Sequence, residues 1–124
     1  MAENMNVQVN MIIHARSRVG EVQKDFTMHF PYLRLKFIKA DEDSIIKAPG
    51  LNIDFISPQL QSNDDKEKIM INALMTVAEL QNAFYDQFRL EVAVLRKSGN
   101  VWLETNFTDS WTLQQQNNMG ELIS

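Results

Sequence analysis

The sequence predicts an α+β fold assembled from two β-α-β units in tandem. Three observations carry that prediction. The chain has 124 residues, 44% hydrophobic and 23% charged, which suits one globular core and is too short for two. Apolar residues recur at strand spacing, then helix spacing, then strand spacing, and do so twice. The second half also repeats the first. Val19-Gly20-Glu21-Val22-Gln23 is echoed by Val77-Ala78-Glu79-Leu80-Gln81, and Phe26 and Phe30 by Phe84 and Phe88. After a one-residue deletion, Leu33-Arg34-Leu35-Lys36-Phe37-Ile38-Lys39 matches Leu90-Glu91-Val92-Ala93-Val94-Leu95-Arg96.

Each element has a local cause. Val7, Val9, Met11 and Ile13 alternate with Asn6, Gln8, Asn10 and Ile12, the period of a half-buried strand. Val19, Val22, Phe26 and Phe30 lie at i, i+3, i+7 and i+11, one stripe of a helix. Arg18 stands at its N-cap with Ser17 beside it, and Pro31 stops it, because the residue before proline avoids the α region. Leu33, Leu35 and Phe37 then alternate with Arg34 and Lys36 as a second strand.

The connector, residues 40–68, is the least regular stretch. Asp41-Glu42-Asp43 and Ser62-Asn63-Asp64-Asp65 are polar, and Pro49, Gly50 and Pro58 punctuate it. Alternation of Leu51, Ile53 and Phe55 with Asn52 and Asp54 predicts an ordered piece around Leu51 to Ile56 between flanks that are the most mobile part of the chain. Ile69, Ile71 and Ala73 form a third strand. The second helix repeats the apolar stripe with Val77, Leu80, Phe84 and Phe88, opened by a Thr76–Glu79 capping box with Met75 and Leu80 at the staple positions. Leu90, Val92 and Val94 make a fourth strand. Lys97-Ser98-Gly99-Asn100 predicts a hairpin turn into a last strand, Val101 to Thr105. A short helix from Thr112 to Met119 follows, with Thr112 and Gln115 as a second capping box and Gly120 as its stop.

These elements read as one domain, 1–124: a first unit at about 5–39, the connector at 40–68, a second unit at about 69–97, and a hairpin strand and tail at 98–124. Two β-α-β units whose helices share one face of a single antiparallel sheet describe a ferredoxin-like sandwich. A ubiquitin-like β-grasp is the alternative, since the second half ends in a hairpin.

Composition narrows function. A formal net charge of −4 works against the phosphate attraction that dominates nucleic-acid binding. With no cysteine, disulfides, thiolate-ligated zinc and thiol nucleophiles are excluded, and a cytoplasmic setting is expected. The start, Met1-Ala2-Glu3-Asn4, lacks the pattern of a secretory leader, and no apolar run is long enough to span a membrane. No serine-histidine-acid set, phosphate loop, HExxH or calcium-loop pattern occurs.

Four groups of residues remain as candidates. His14, Arg16, Ser17 and Arg18 lie on the turn into the first helix, where unpaired amides attract anions; the plainer reading is a solvated basic loop. A ferredoxin-like fold with an arginine after its first strand is similar in that respect to acylphosphatases. That resemblance implies Arg16 or Arg18, with Asn72, orienting a water for attack on an acyl phosphate. Glu21, Asp25 and His29 step along one line of the first helix, more simply a solvated face than a metal site. The sheet face turned from the helices collects Ile12, Arg34, Lys36, Met70, Asn72, Leu95 and Trp102, a mixture suited to protein contact or self-association. It lacks the glycine-aromatic signature of RNA-recognition folds. Finally, Trp102, Phe107 and Trp111 near the C-terminus are expected to dock a tail on the core. The expected function is therefore a non-catalytic interaction or regulatory module that binds protein through its sheet face, as a homodimer or with another protein. Anion or phospho-metabolite binding at the His14–Arg18 turn is the alternative. No cofactor, metal or membrane partner is expected.

Overall fold

A computed structural model describes residues 9–38, 56 and 68–124. In order, these form β1 (Val9–His14), α1 (Val19–His29), β2 (Leu33–Phe37), β3 (Lys68–Asn72), α2 (Val77–Phe88), β4 (Val92–Ser98), β5 (Val101–Glu104) and α3 (Leu113–Ile123), with a 3₁₀ turn at Asn106–Thr108 before α3. The fold is α+β, with its strands in two antiparallel sheets: β1 with β3, and β2-β4-β5 in that order.

Local expectations hold at several ends. Thr76 and Glu79 exchange their capping-box bonds, and so do Thr112 and Gln115. Arg18 is the N-cap of α1 without a side-chain cap bond. Ser17 beside it accepts from the His14 N–H at 2.9 Å. The hairpin turns at Gly99, whose φ of 61° suits a residue without Cβ. The acidic connector flanks, and Leu51 to Phe55 between them, lie outside the described residues, except that Lys68 begins β3.

The single sheet expected of a ferredoxin-like sandwich is replaced by two, and backbone direction explains why. Ile38 N–H donates to the Glu91 carbonyl and Lys97 N–H to that of Tyr32, so the Leu33 and Leu35 carbonyls point away from β4. Those carbonyls are taken by α1: Thr27 Oγ1 donates to Leu33 at 2.9 Å and Gln23 Nε2 to Leu35 at 3.1 Å. On β4, Gln81 Nε2 donates to the Val92 carbonyl at 3.0 Å and Thr105 Oγ1 to that of Val94 at 2.8 Å. Side chains thus occupy the edges where β3 and β1 would have paired. Gln23 and Gln81 stand at matching places in the repeat and do the same work.

Strand register carries the same correspondence. Met11 pairs with Ile71 and Ile13 with Ile69, while Ile12 faces Met70. Leu35 pairs with Val94 and Phe37 with Val92, while Lys36 faces Ala93. Exchanging these residues for their counterparts in the other half returns the same pairs, until a register shift between Val9 and Met11 breaks the correspondence in the first ladder. The correspondence also runs past the second strand. Ile56 N–H donates to the Ser17 carbonyl and Leu113 N–H to that of Met75, both at 2.8 Å, and both side chains are fully buried. Ile56 and Leu113 thus hold matching places relative to the two helix starts.

One core joins the units, with Phe26, Phe84, Ile13, Ile71, Leu33, Leu80, Ile56 and Leu113 completely enclosed. The C-terminal tail closes one end of it. Trp111 and Asp109 carbonyls accept from Val77 and Ala78, satisfying the first amides of α2. Trp111 is half-buried as expected of a docked tail, whereas Phe107 is fully exposed and covers nothing of the core.

α3 runs past its expected stop. Gly120 lies inside the helix and is buried, and a Cβ built there would fall 2.6 Å from Tyr32 Cβ and 3.2 Å from the Tyr32 carbonyl oxygen. Close approach, not helix termination, explains this glycine. Gly120→Ala is expected to cost about 1–3 kcal/mol despite alanine's better helix propensity, measured by urea denaturation.

Candidate functional site

The three-stranded sheet presents one face that no described helix covers, and cross-strand pairing fixes its composition. Arg34 lies opposite Leu95, which lies opposite Glu104; Lys36 lies opposite Ala93, and Lys97 opposite Trp102. Alternation along each strand puts all of these side chains on the same side. The Arg34 guanidinium stacks on Trp102, 4.1 Å from the ring centroid, a contact worth about 0.5–1 kcal/mol at an exposed site. Charge from β2 is thereby carried over β4 to β5. Glu104 Oε1 accepts from Asn106 Nδ2 at 3.0 Å.

The expected seven-residue face divides between the two sheets. Arg34, Lys36, Leu95 and Trp102 share the three-stranded sheet. Ile12 and Met70 face each other on β1–β3, 47% and 50% exposed. Asn72 is half-buried, and its Oδ1 accepts from the Leu74 N–H at 2.9 Å, closing a local turn. Lys97 and Glu104 escaped the sequence reading because they enter the face only through the β4–β5 register. The signal was present, since a two-residue turn at Gly99-Asn100 sets Trp102 against Lys97.

The turn His14–Arg18 brings its residues together but spends Ser17 on the fold. Ser17 Oγ accepts from His14 N–H, its own N–H donates to the His14 carbonyl at 3.0 Å, and its carbonyl accepts from Ile56. His14, Arg16 and Arg18 are exposed. Asn72 lies at the far end of the β1–β3 ladder from this turn. His14 pairs with Lys68 at one end of the β1–β3 ladder and Val9 with Asn72 at the other, roughly 15 Å apart at about 3.3 Å per residue.

Glu21, Asp25 and His29 are exposed along α1. No three histidine, aspartate or glutamate side chains are grouped to hold a metal ion among the described residues. Two open clefts of about 310 Å³ each flank the helices. One runs along α3, lined by Trp111, Gln115, Asn118, Met119 and Leu122. The other lies between α1 and β2, lined by Gln23, Lys24, Thr27, Arg34 and Leu35, where Gln23 and Thr27 are committed to strand carbonyls. No described helix is long and apolar enough to cross a membrane. Comparison with known protein families, curated proteins and solved structures finds no match to this chain.

Proposed function

We propose that this chain is a small non-catalytic interaction module that binds protein through the outward face of β2-β4-β5. The observation that carries the reading is the Arg34–Trp102 stack beside Leu95. Tryptophan and arginine, here beside an aliphatic group on a face that no described helix covers, are the residue types enriched at contact hot spots. Ile12 and Met70 belong to another sheet and are not part of this surface. Light scattering and cross-linking at micromolar concentration test the reading. Association of the wild-type chain, with itself or with a partner, is expected to weaken at least tenfold in Leu95→Asp and Trp102→Ala and to persist in Ile12→Asp. Variants of the face that associate like wild type would count against it.

The same proposal treats the two halves as an internal duplication in the βαβ-βαβ order of ferredoxin-like folds, with the strands paired differently. The exchangeable registers and the twin glutamine bonds support it. The cysteine-free composition suits work in the cytoplasm. Anion binding at His14–Arg18 ranks second, because Ser17 is committed within the turn. Inorganic phosphate is expected to leave the thermal midpoint unmoved. A rise abolished by combined Arg16→Ala and Arg18→Ala would reverse the ranking.

A further inference from the structure

We infer that the outer edge of β5, against which no described strand lies, takes up an extended protein segment in which acidic and apolar residues alternate, pairing with it as an added strand. The inference rests on the sheet-face reading above and names the partner's chemistry. Lys97 N–H donates to the carbonyl of Tyr32, just before β2, so Lys97 and Trp102 form a non-hydrogen-bonded pair and the main-chain groups of Trp102 point away from β4. Those of Glu104, two residues on, point the same way. No described strand lies against that edge. The neighbouring edges are closed, at β2 by Gln23 and Thr27 and at β4 by Gln81 and Thr105. β5 offers outward donors and acceptors in the phase that strand addition requires.

Side chains on its two faces select the segment. Val101 and Leu103 are 53% and 44% exposed on one side, and they call for apolar residues there. On the other side Arg34 sits over Trp102, with Lys97 opposite the same residue, against the single carboxylate of Glu104. An incoming strand about 4.8 Å from β5 would set its alternate residues beside that positive charge, which favours aspartate or glutamate. A second copy of β5 is a poorer occupant, since it would bring another Trp102 and its own arginine to the same place.

The test titrates the full chain into a fluorescein-labelled nine-residue peptide alternating isoleucine with aspartate. Control peptides replace aspartate by lysine, or carry N-methyl groups on alternate amides in either phase. Proline is tolerated where an edge strand's N–H faces solvent, so Glu104→Pro removes an outward donor while Glu104→Gln keeps it. The aspartate peptide is expected to bind the wild-type chain and Glu104→Gln. Binding should fall at least tenfold with Glu104→Pro, with the lysine peptide, and with one of the two N-methylated phases. Unchanged binding to Glu104→Pro, with loss in Leu95→Asp, would overturn the edge pairing while sparing the sheet-face reading. No binding of the aspartate peptide to the wild-type chain overturns the inference, and the sheet face is then judged by its own light-scattering test. A dimer dissolved by Glu104→Pro overturns the peptide in favour of a second copy.

Discussion

Phe84→Ala is expected to lower the unfolding free energy by about 3–5 kcal/mol, the range for emptying a well-packed phenylalanine site. Phe84 is fully enclosed. Its ring meets Phe37 edge-on at 5.6 Å between centroids and Phe88 at 6.4 Å, so truncation opens a cavity between α2 and β2. Phe26 holds the matching place in the first unit, equally enclosed and 5.3 Å from Phe30. Phe26→Ala should therefore cost a similar amount, and each variant should unfold in one transition with an unaltered denaturant slope. A cost below about 1 kcal/mol for either would mean that its helix contributes little to the common core.

Gln116→Leu should cost about 2–4 kcal/mol, although leucine matches the volume and is apolar. Gln116 is fully buried and bridges two partners: its Oε1 accepts from Arg96 Nη1 at 2.9 Å, and its Nε2 donates to the Thr108 carbonyl at 2.7 Å and to Thr108 Oγ1 at 2.8 Å. Arg96 Nε is already buried without a partner, so losing this acceptor leaves the guanidinium still less satisfied. Gln116→Glu keeps the acceptor for Arg96 but loses the donor to the Thr108 carbonyl, so it should destabilise as well. Urea denaturation measures the loss. Because the tail also supplies the Trp111 and Asp109 carbonyls to α2, tryptophan fluorescence should report its loosening in Gln116→Leu. Equal stability of wild type and Gln116→Leu would show that the bridge contributes nothing net.

The candidate surface was half legible. Alternation alone puts Arg34 and Lys36 on one side of β2, and the turn at Gly99 folds Trp102 back toward them. Alternation groups Ile12, Met70 and Asn72 with them as well, because it does not tell one sheet from two. Nothing within a strand states which strand lies beside it.

Along the chain, the sequence by itself determined the elements, their caps and their buried stripes. Those depend on neighbours within four residues, as with Thr76 and Glu79 or Phe84 and Phe88. It also showed the repeat. Only the tertiary structure decided what the shared residues do: Gln23 and Gln81 read as two more polar helix positions until each is seen on a strand carbonyl. Those bonds lie on the edges of β2 and β4 where the two sheets part. Gly120 reads as a helix stop until Tyr32 lies against it, and Ile56 is only the end of an apolar alternation until its amide meets Ser17. Each of these roles is set by a partner far away in sequence, and contacts of that kind leave no period in the chain to read.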